Sequence, residues 1–476
     1  MKTNCETRNL TMMTDLYQLT MMNGYFLDGT LDNEAVFDLF FRSNGQINYA
    51  VAAGLQQAIE YVKDLRFDKS DLQYLESLKL FDPGFIEYLR SFKFTGDIYS
   101  VEEGEVVFPG EPIMVVKAPL IEAQLIETTL LNIVSHQTLI ATKAARIAGA
   151  AGEHSVVEFG LRRAQGPDAG IYGARASIIG GCKGTSNVLA GQMFNIDVKG
   201  THSHSWVMSY PSELEAFEAF ARVYPDNCLL LVDTYDTLKS GVPNAIKVFK
   251  KLRESGHKPG GIRLDSGDLA YLSKKARAML DEAGFTDAII FASNDIDENL
   301  ISQLSLQGAK IDVYGVGTKL ITSHDMPSLG GVYKLAEITR GGVSYPRMKM
   351  SDSTEKMTNP GFKTLYRIYV GGKAFADLIA LKGEKLSKPL TLTHAVDRWK
   401  KTTLEEYECR CMHVKIFERG KCVYKCPTLD ETVKFAENER GRFWDEYKRL
   451  SNPHVYKVDL SDELYELKME LLGAKK

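Results

Sequence analysis

The segment GTHSHSW at residues 200–206 sets two imidazoles one residue apart, His202 and His204. Neutral imidazole is a nucleophile that can accept a phosphoryl group; two histidines so spaced could equally ligate a metal or sit in a polar loop. A second set of polar residues follows a series of short apolar runs. Gly160, Arg162 and Arg163 come after SVVEF, Asp233 after LLLV, Asp265-Ser266-Gly267-Asp268 after GIRL, Ser293-Asn294-Asp295 after AIIFA, and Gly315, Gly317 and Thr318 lie at the end of IDVYGVGT. Arginine forks and the backbone N–H groups of Ser, Asn, Gly and Thr turns suit phosphate or carboxylate. Asp233 and Asp265 are hard oxygen donors that could hold Mg²⁺ beside a pyrophosphate. Each feature alone is weak, since an aspartate that closes a strand is a helix cap about as often as a catalyst. Together they fit a phosphorylated sugar substrate.

Convergence of these residues requires a scaffold that brings strand ends together. Between residues 155 and 336 the apolar runs SVVEF, LLLV (229–232), GIRL (261–264), AIIFA (288–292), IDVYGV (311–316) and VYKLAEI (332–338) recur with helical segments between several of them. Such alternation indicates parallel strands covered by helices, and in a βα barrel the loops after the strands share one rim. DLAYLSKKARAMLDEAGF places Leu269, Leu272, Ala276, Leu280 and Ala283 on one face and stops at Gly284. The next helix opens with Asp295 and Asp297 near its positive end and stops at Gly308. Upstream, residues 10–27 read as an amphipathic helix, 34–42 as a strand, and 121–152 as a long, interrupted helix. The expected fold class is α/β: an irregular βα barrel over 135–339, an α+β N-terminal domain over 1–134 completed by 340–400, and a C-terminal extension over 401–476.

A chain of 476 residues exceeds one hydrophobic core, and 44% hydrophobic with 25% charged residues is ordinary for a globular protein. A net charge of -4 offers no sequence-wide positive field for nucleic acid or anionic lipid. Neither a signal segment nor a membrane span is read, so cytoplasmic residence is the default expectation. Seven cysteines are sparse and odd in number, which argues for reduced thiols. Cys409, Cys411, Cys422 and Cys426 cluster late with His413. The alternation Cys409, Cys411, His413 would share one face of a strand, a conceivable zinc arrangement, but C-x-C and C-x3-C are not the usual knuckles.

The motifs TDLYQLTMM, EFGLRRAQGPDAG, GTSNVLAG, GTHSHSW, VDTYDTLKSGVPNAI, GIRLDSGDL, FASNDIDE, VYGVGTKLITS, SLGGVYKL and FWDEYKRLSNPHVYKVDLSDEL, in this order and over nearly the whole chain, resemble nicotinate phosphoribosyltransferases. The resemblance implies a type II phosphoribosyltransferase-like barrel and a homodimer with shared sites. It further implies nicotinate and phosphoribosyl pyrophosphate (PRPP) as substrates, ATP as co-substrate and Mg²⁺ as cofactor. The family's phosphorylated histidine falls on His204, with His202 an additional imidazole beside it. Tyr17, reaching from the other subunit, Phe159, Ser186, Thr201 and Arg263 match nicotinate-contacting positions; Thr318 matches a PRPP contact. With it, Arg162, Ser293, Asn294, Gly315 and Gly317 form the expected phosphate set, and Asp233 and Asp265 the catalytic acids. Similar nicotinamide-using enzymes carry an acid where Ser186 stands, which would repel a carboxylate. The segment LLLVDTYDTLKSG is similar to the PRPP loop of other phosphoribosyltransferases, except that Thr234 replaces its second acid. Alternatives are nicotinamide or quinolinate as the acceptor base, a barrel lyase using Lys319 as a Schiff base, and a silent binding protein.

Overall fold

The computed structural model describes residues 9–473 apart from 43–44, 46, 352–355 and 395–396. Two compact units result, one from residues 1–139 with 328–476 and one from 140–327.

In the second unit five strands form a parallel sheet: β1 (Ser155–Glu158), β2 (Leu229–Leu231), β3 (Gly261–Leu264), β4 (Ile289–Ser293) and β5 (Val313–Val316), in spatial order β1-β5-β4-β3-β2. They are short, nearly continuous apolar runs because helices cover them. Register aligns their ends, with Leu231 opposite Arg263, Leu264 opposite Ala292, Ser293 opposite Gly315 and Val316 opposite Glu158. The residue after each strand therefore reaches the same rim. Beyond β1 the sheet continues by single parallel bridges, Glu158 to Thr185 and Thr185 to Val198. On the opposite edge, the Leu231 N–H donates to His202 Nε2 at 3.2 Å, four residues after the last bridge. A side chain thus joins the two edges of an irregular βα barrel.

Helix α1 (Leu269–Glu282) is capped by Asp268, which accepts from the Tyr271 N–H at 2.8 Å, and buries Leu269, Ala276 and Leu280. Helix α2 (Glu298–Leu306) is capped by Asp297 rather than Asp295. Asp295 instead sits in a turn with Asn294, both at positive φ (39° and 98°), which presents the end of β4 to the rim.

The first unit holds a seven-stranded sheet built from both ends of the chain and a four-stranded sheet built from the C-terminal part alone. The run VYKLAEI, read with the barrel strands, belongs here. Within Gly331–Arg340 it pairs antiparallel with Glu34–Phe41, because its alternating burial fits a sheet with two unlike faces rather than a fully covered parallel strand. The opening helix spans Leu16–Leu27, starting later than its amphipathic pattern suggested, and the long helix breaks at Ile126 between Leu120–Leu125 and Glu127–Ala151. Residues 401–476 supply strands Glu408–Cys411, Val414–Glu418 and Val458–Leu460 to these sheets.

Cys409 and Cys411 lie on the first of those strands, but the strand ends there and His413 turns inward, its Nε2 2.6 Å from the Pro112 carbonyl. Burial lowers the His413 pKa to about 4. The expected shared face for Cys409, Cys411 and His413 is therefore not formed. Six cysteines are free thiols, and Cys5 lies outside the described residues.

Candidate functional site

A cleft of about 1100 Å³ opens at the strand-end rim of the second unit. Eleven of the anticipated residues line it: Phe159 and Arg162 after β1, Ser186 and Thr201 on the segments that extend the sheet, Arg263 and Asp265 from β3, Ser293 and Asn294 from β4, and Gly315, Gly317 and Thr318 from β5. Tyr17 lies in the first unit on helix Leu16–Leu27, half exposed.

The charged centre is a closed network. Arg263 Nε donates to Ser293 Oγ at 2.9 Å and Nη2 donates to Asp265 Oδ1 at 3.1 Å, while the Ser293 hydroxyl donates to the same carboxylate oxygen. The single O–H of Ser293 is thus committed to Asp265, so its backbone and Asn294 are the better anion donors at the end of β4. Asp233 Oδ2 accepts from the Asp265 N–H at 2.8 Å and from Ser266 Oγ at 2.6 Å. The ends of β2 and β3 are tied together by a carboxylate.

His204 completes this centre. Its Nδ1 lies 3.1 Å from Thr234 Oγ1, and its Nε2 lies 3.7 Å from Asp265 Oδ2 and 3.9 Å from Asp233 Oδ1. With Nδ1 held by Thr234, Nε2 is the nitrogen directed at the two acids. His202 differs in every respect. Its ring is 8% exposed and packs on Phe217 and Phe220, and desolvation lowers its pKa to about 4. Nε2 accepts from Leu231 while Nδ1 lies 3.4 Å from the Ser203 carbonyl, a pattern satisfied by the neutral Nδ1–H tautomer. His204 has the reactive geometry, and His202 has that of a structural acceptor.

On the other side of the cleft Phe159 stacks on Phe291 (ring centres 5.4 Å, interplanar 18°), with the Arg263 guanidinium 5.6 Å from the Phe159 ring centre. Gly315 must lack a side chain, because a Cβ would lie 2.5 Å from the Phe291 ring and 2.9 Å from that of Phe159.

The chain matches the nicotinate phosphoribosyltransferase (NAPRTase) family over residues 154–357, its N-terminal domain over 12–135 and its C-terminal domain over 362–468. Nicotinate phosphoribosyltransferase of Bacillus subtilis (strain 168) is 50% identical over 472 residues, covering 97% of this chain and 95% of that one. The chain belongs to the nicotinate phosphoribosyltransferase family. The Dictyostelium discoideum nicotinate phosphoribosyltransferase is 36% identical, covering 96% of this chain and 87% of its own. The structure of human nicotinic acid phosphoribosyltransferase superposes with a TM-score of 0.86 at 32% identity, over 96% of this chain and 99% of that one. A nicotinate-nucleotide pyrophosphorylase from Pyrococcus furiosus shares the fold, with a TM-score of 0.70 at 20% identity over 93% of this chain and 97% of that one.

Within this phosphoribosyltransferase, Thr234 and Thr185 are among the polar residues at the site to which residue type and spacing gave no role. Thr234 was set aside for not being an acid, although a hydroxyl next to Asp233 can hold the imidazole. Thr185 lies inside the quoted GTSN motif and is fully buried.

Proposed function

We propose that this phosphoribosyltransferase joins nicotinate to PRPP, releasing pyrophosphate and forming nicotinate mononucleotide for NAD synthesis, with ATP hydrolysed to ADP and phosphate through His204. The observation that carries the reading is one rim at which Arg263, Asp265 and Thr318 line a cleft and His204 Nε2 stands 3.7 Å from Asp265.

The pyridine nitrogen has no proton to lose, so displacement at C1 of the ribose needs orientation and charge stabilisation rather than a general base. Phe159 offers a ring face and Ser186 a neutral hydrogen-bond donor for the carboxylate; Thr201, Arg263 and, from a partner subunit in a homodimer, Tyr17 complete the pocket in this reading. Arg162, Asn294, the Gly315–Thr318 backbone and Thr318 take the phosphates. Among the described residues Asp233 Oδ1 is buried without a hydrogen-bond partner, and Asp265 Oδ2 faces the same space, a donor set that fits a hard cation completed by water and pyrophosphate oxygens. Mg²⁺ held there would neutralise the departing pyrophosphate.

For the ATP-linked step, the Nε2–P bond forms as the bond from the γ-phosphorus to ADP breaks, and water later cleaves the phosphoimidazole to release phosphate. Thr234 keeps Nδ1 occupied throughout. Lys319, the Schiff-base alternative, lies 4.0 Å from Asp297, the carboxylate that caps α2. No described helix is long and apolar enough to cross a membrane; a cytoplasmic location belongs to the same reading, supported by the sparse cysteines.

The test is to incubate the purified protein with nicotinate, PRPP and Mg²⁺, with and without ATP, and to measure the mononucleotide. Turnover with nicotinate, stimulated by ATP, is expected. His204→Ala should abolish the stimulation and any labelling from γ-³²P ATP while leaving basal synthesis. Turnover with nicotinamide but not nicotinate, or trapping of a substrate on Lys319 by borohydride, would reject the reading.

A further inference from the structure

We infer that Glu158, which does not touch the cleft, is the positioning residue of the pyridine pocket, a buried carboxylate that fixes the Phe159 loop and the Ser186 loop relative to each other. The inference deepens the reading of this cleft as a nicotinate site and rests on it.

Glu158 closes β1 and is fully buried. One carboxylate oxygen accepts from the Gly160 N–H, on the far side of Phe159, and the other accepts from the Thr185 hydroxyl at 2.5 Å. The Glu158 backbone reinforces this, since its N–H donates to the Gly184 carbonyl and its own carbonyl accepts from the Ser186 N–H, each at 2.9 Å. Thr185 Oγ1 also accepts from the Asn187 N–H at 3.0 Å. Ser186 is therefore bracketed by two residues tied to the same hydroxyl, and that hydroxyl is tied to Glu158.

Two facts separate this from ordinary core packing. Among the described residues no Lys or Arg pairs with Glu158, and burial pushes its pKa above the usual carboxylate range. An apolar side chain would avoid the cost of desolvating a carboxylate but could not link the two loops, which takes two hydrogen-bonding atoms aimed at opposite sides. The approach of the Gly160 amide also requires bare backbone, because a Cβ there would lie 2.5 Å from Ile321 Cβ and 2.8 Å from the Glu158 carboxylate. The Phe159 ring and the Ser186 hydroxyl border the same cleft, so their separation is set beneath it by Glu158.

The experiment uses the full chain and compares Glu158→Leu, Glu158→Gln and Thr185→Val by steady-state kinetics in both substrates. Glu158→Leu should raise the KM for nicotinate by about tenfold, the effect of losing one to two well-placed hydrogen bonds, with the KM for PRPP within about twofold of wild type. Its preference for nicotinate over nicotinamide should fall in parallel. Thr185→Val, which cuts one arm only, should show a smaller change of the same kind. Glu158→Gln keeps an acceptor for Gly160 and an amide that Thr185 can accept from, so it should restore most of the wild-type KM. A Glu158→Leu or Thr185→Val protein whose nicotinate and PRPP constants move together, or whose nicotinate KM stays at the wild-type value, would overturn the inference; should Glu158→Leu not fold, Thr185→Val decides alone. A wild-type protein that does not use nicotinate rejects the pocket reading and this inference with it, an outcome visible without any variant.

Discussion

Ser186 is half-buried at the edge of the cleft, where its hydroxyl can serve a carboxylate without adding charge. Replacing it by aspartate would set two like charges a few ångströms apart, an interaction worth about 4 kcal/mol at 4 Å for an effective dielectric constant near 20. Screening by Arg263 and solvent reduces this, so Ser186→Asp is expected to lower kcat/KM for nicotinate on the order of ten- to hundredfold. Nicotinamide, which carries no charge and offers N–H donors, should lose far less, and measured specificity ratios for the two bases decide the matter. Single side chains differed in how readily they could be seen in advance. Asp233, Asp265 and Thr318 were legible because each follows a recognisable apolar run and the strand-end rule then groups them, whereas Arg263, inside the run GIRL, came from the family resemblance alone. Thr234 and Glu158 were not: the partner of a reactive group and the staple beneath a pocket are defined by what lies across space, which local spacing does not encode.

Elements show the same division. The five parallel strands follow from short apolar runs, and the Asp268 and Asp297 caps with Gly284 and Gly308 beyond mark the helix ends. VYKLAEI was misplaced because an apolar run does not state its partner, and the sheet extension through Thr185 and Val198 was missed because single-residue bridges leave no periodic pattern. Closure by His202 could not be read from sequence either, yet it has a measurable consequence. Its folded pKa, about 4, lies below the ordinary 6.5, so the neutral ring that accepts from Leu231 contributes stability present above pH 6.5 and lost as pH falls toward 4. The contribution is at most about 3 kcal/mol. Glutamine places an acceptor oxygen where Nε2 stands and cannot be protonated in this range. His202→Gln should therefore lose less melting temperature than wild type between about pH 7 and pH 5. Parallel melting curves would show that Leu231 does not depend on the neutral imidazole.

At the scale of the whole molecule, the first unit must be assembled from chain segments separated by the entire barrel, and a buried ionic network does part of this work. Arg367, fully buried, forms a two-pronged pair with Asp377 (2.9 and 2.6 Å) and reaches Glu105, 262 residues away in sequence, at 2.5 Å. Arg410 joins Glu105 to Glu439 at 2.6 and 2.9 Å. Removing one member would strand its partners without water, which costs about 3–5 kcal/mol in such settings. Beside the network lies Glu111, also fully buried, whose carboxyl is pushed well above its ordinary 4.5 first by desolvation and then by the neighbouring Asp377. Asp377 is committed to Arg367, so a second carboxylate there lacks a counter-charge, and the neutral acid is the form that fits. A raised carboxyl pKa means that Glu111 contributes its full stability below 4.5 and loses it as pH rises toward the folded value. Glutamine copies the neutral acid in shape and can still accept from the Phe108 N–H, which Glu111 does at 2.8 Å. Glu111→Gln should thus match wild type near pH 4.5 and become the more stable of the two as pH increases, as read from urea midpoints of the full chain across that range. If the two proteins instead keep a constant difference in midpoint, Glu111 is ionised in the fold and the balance of charge around Arg367 must be drawn differently.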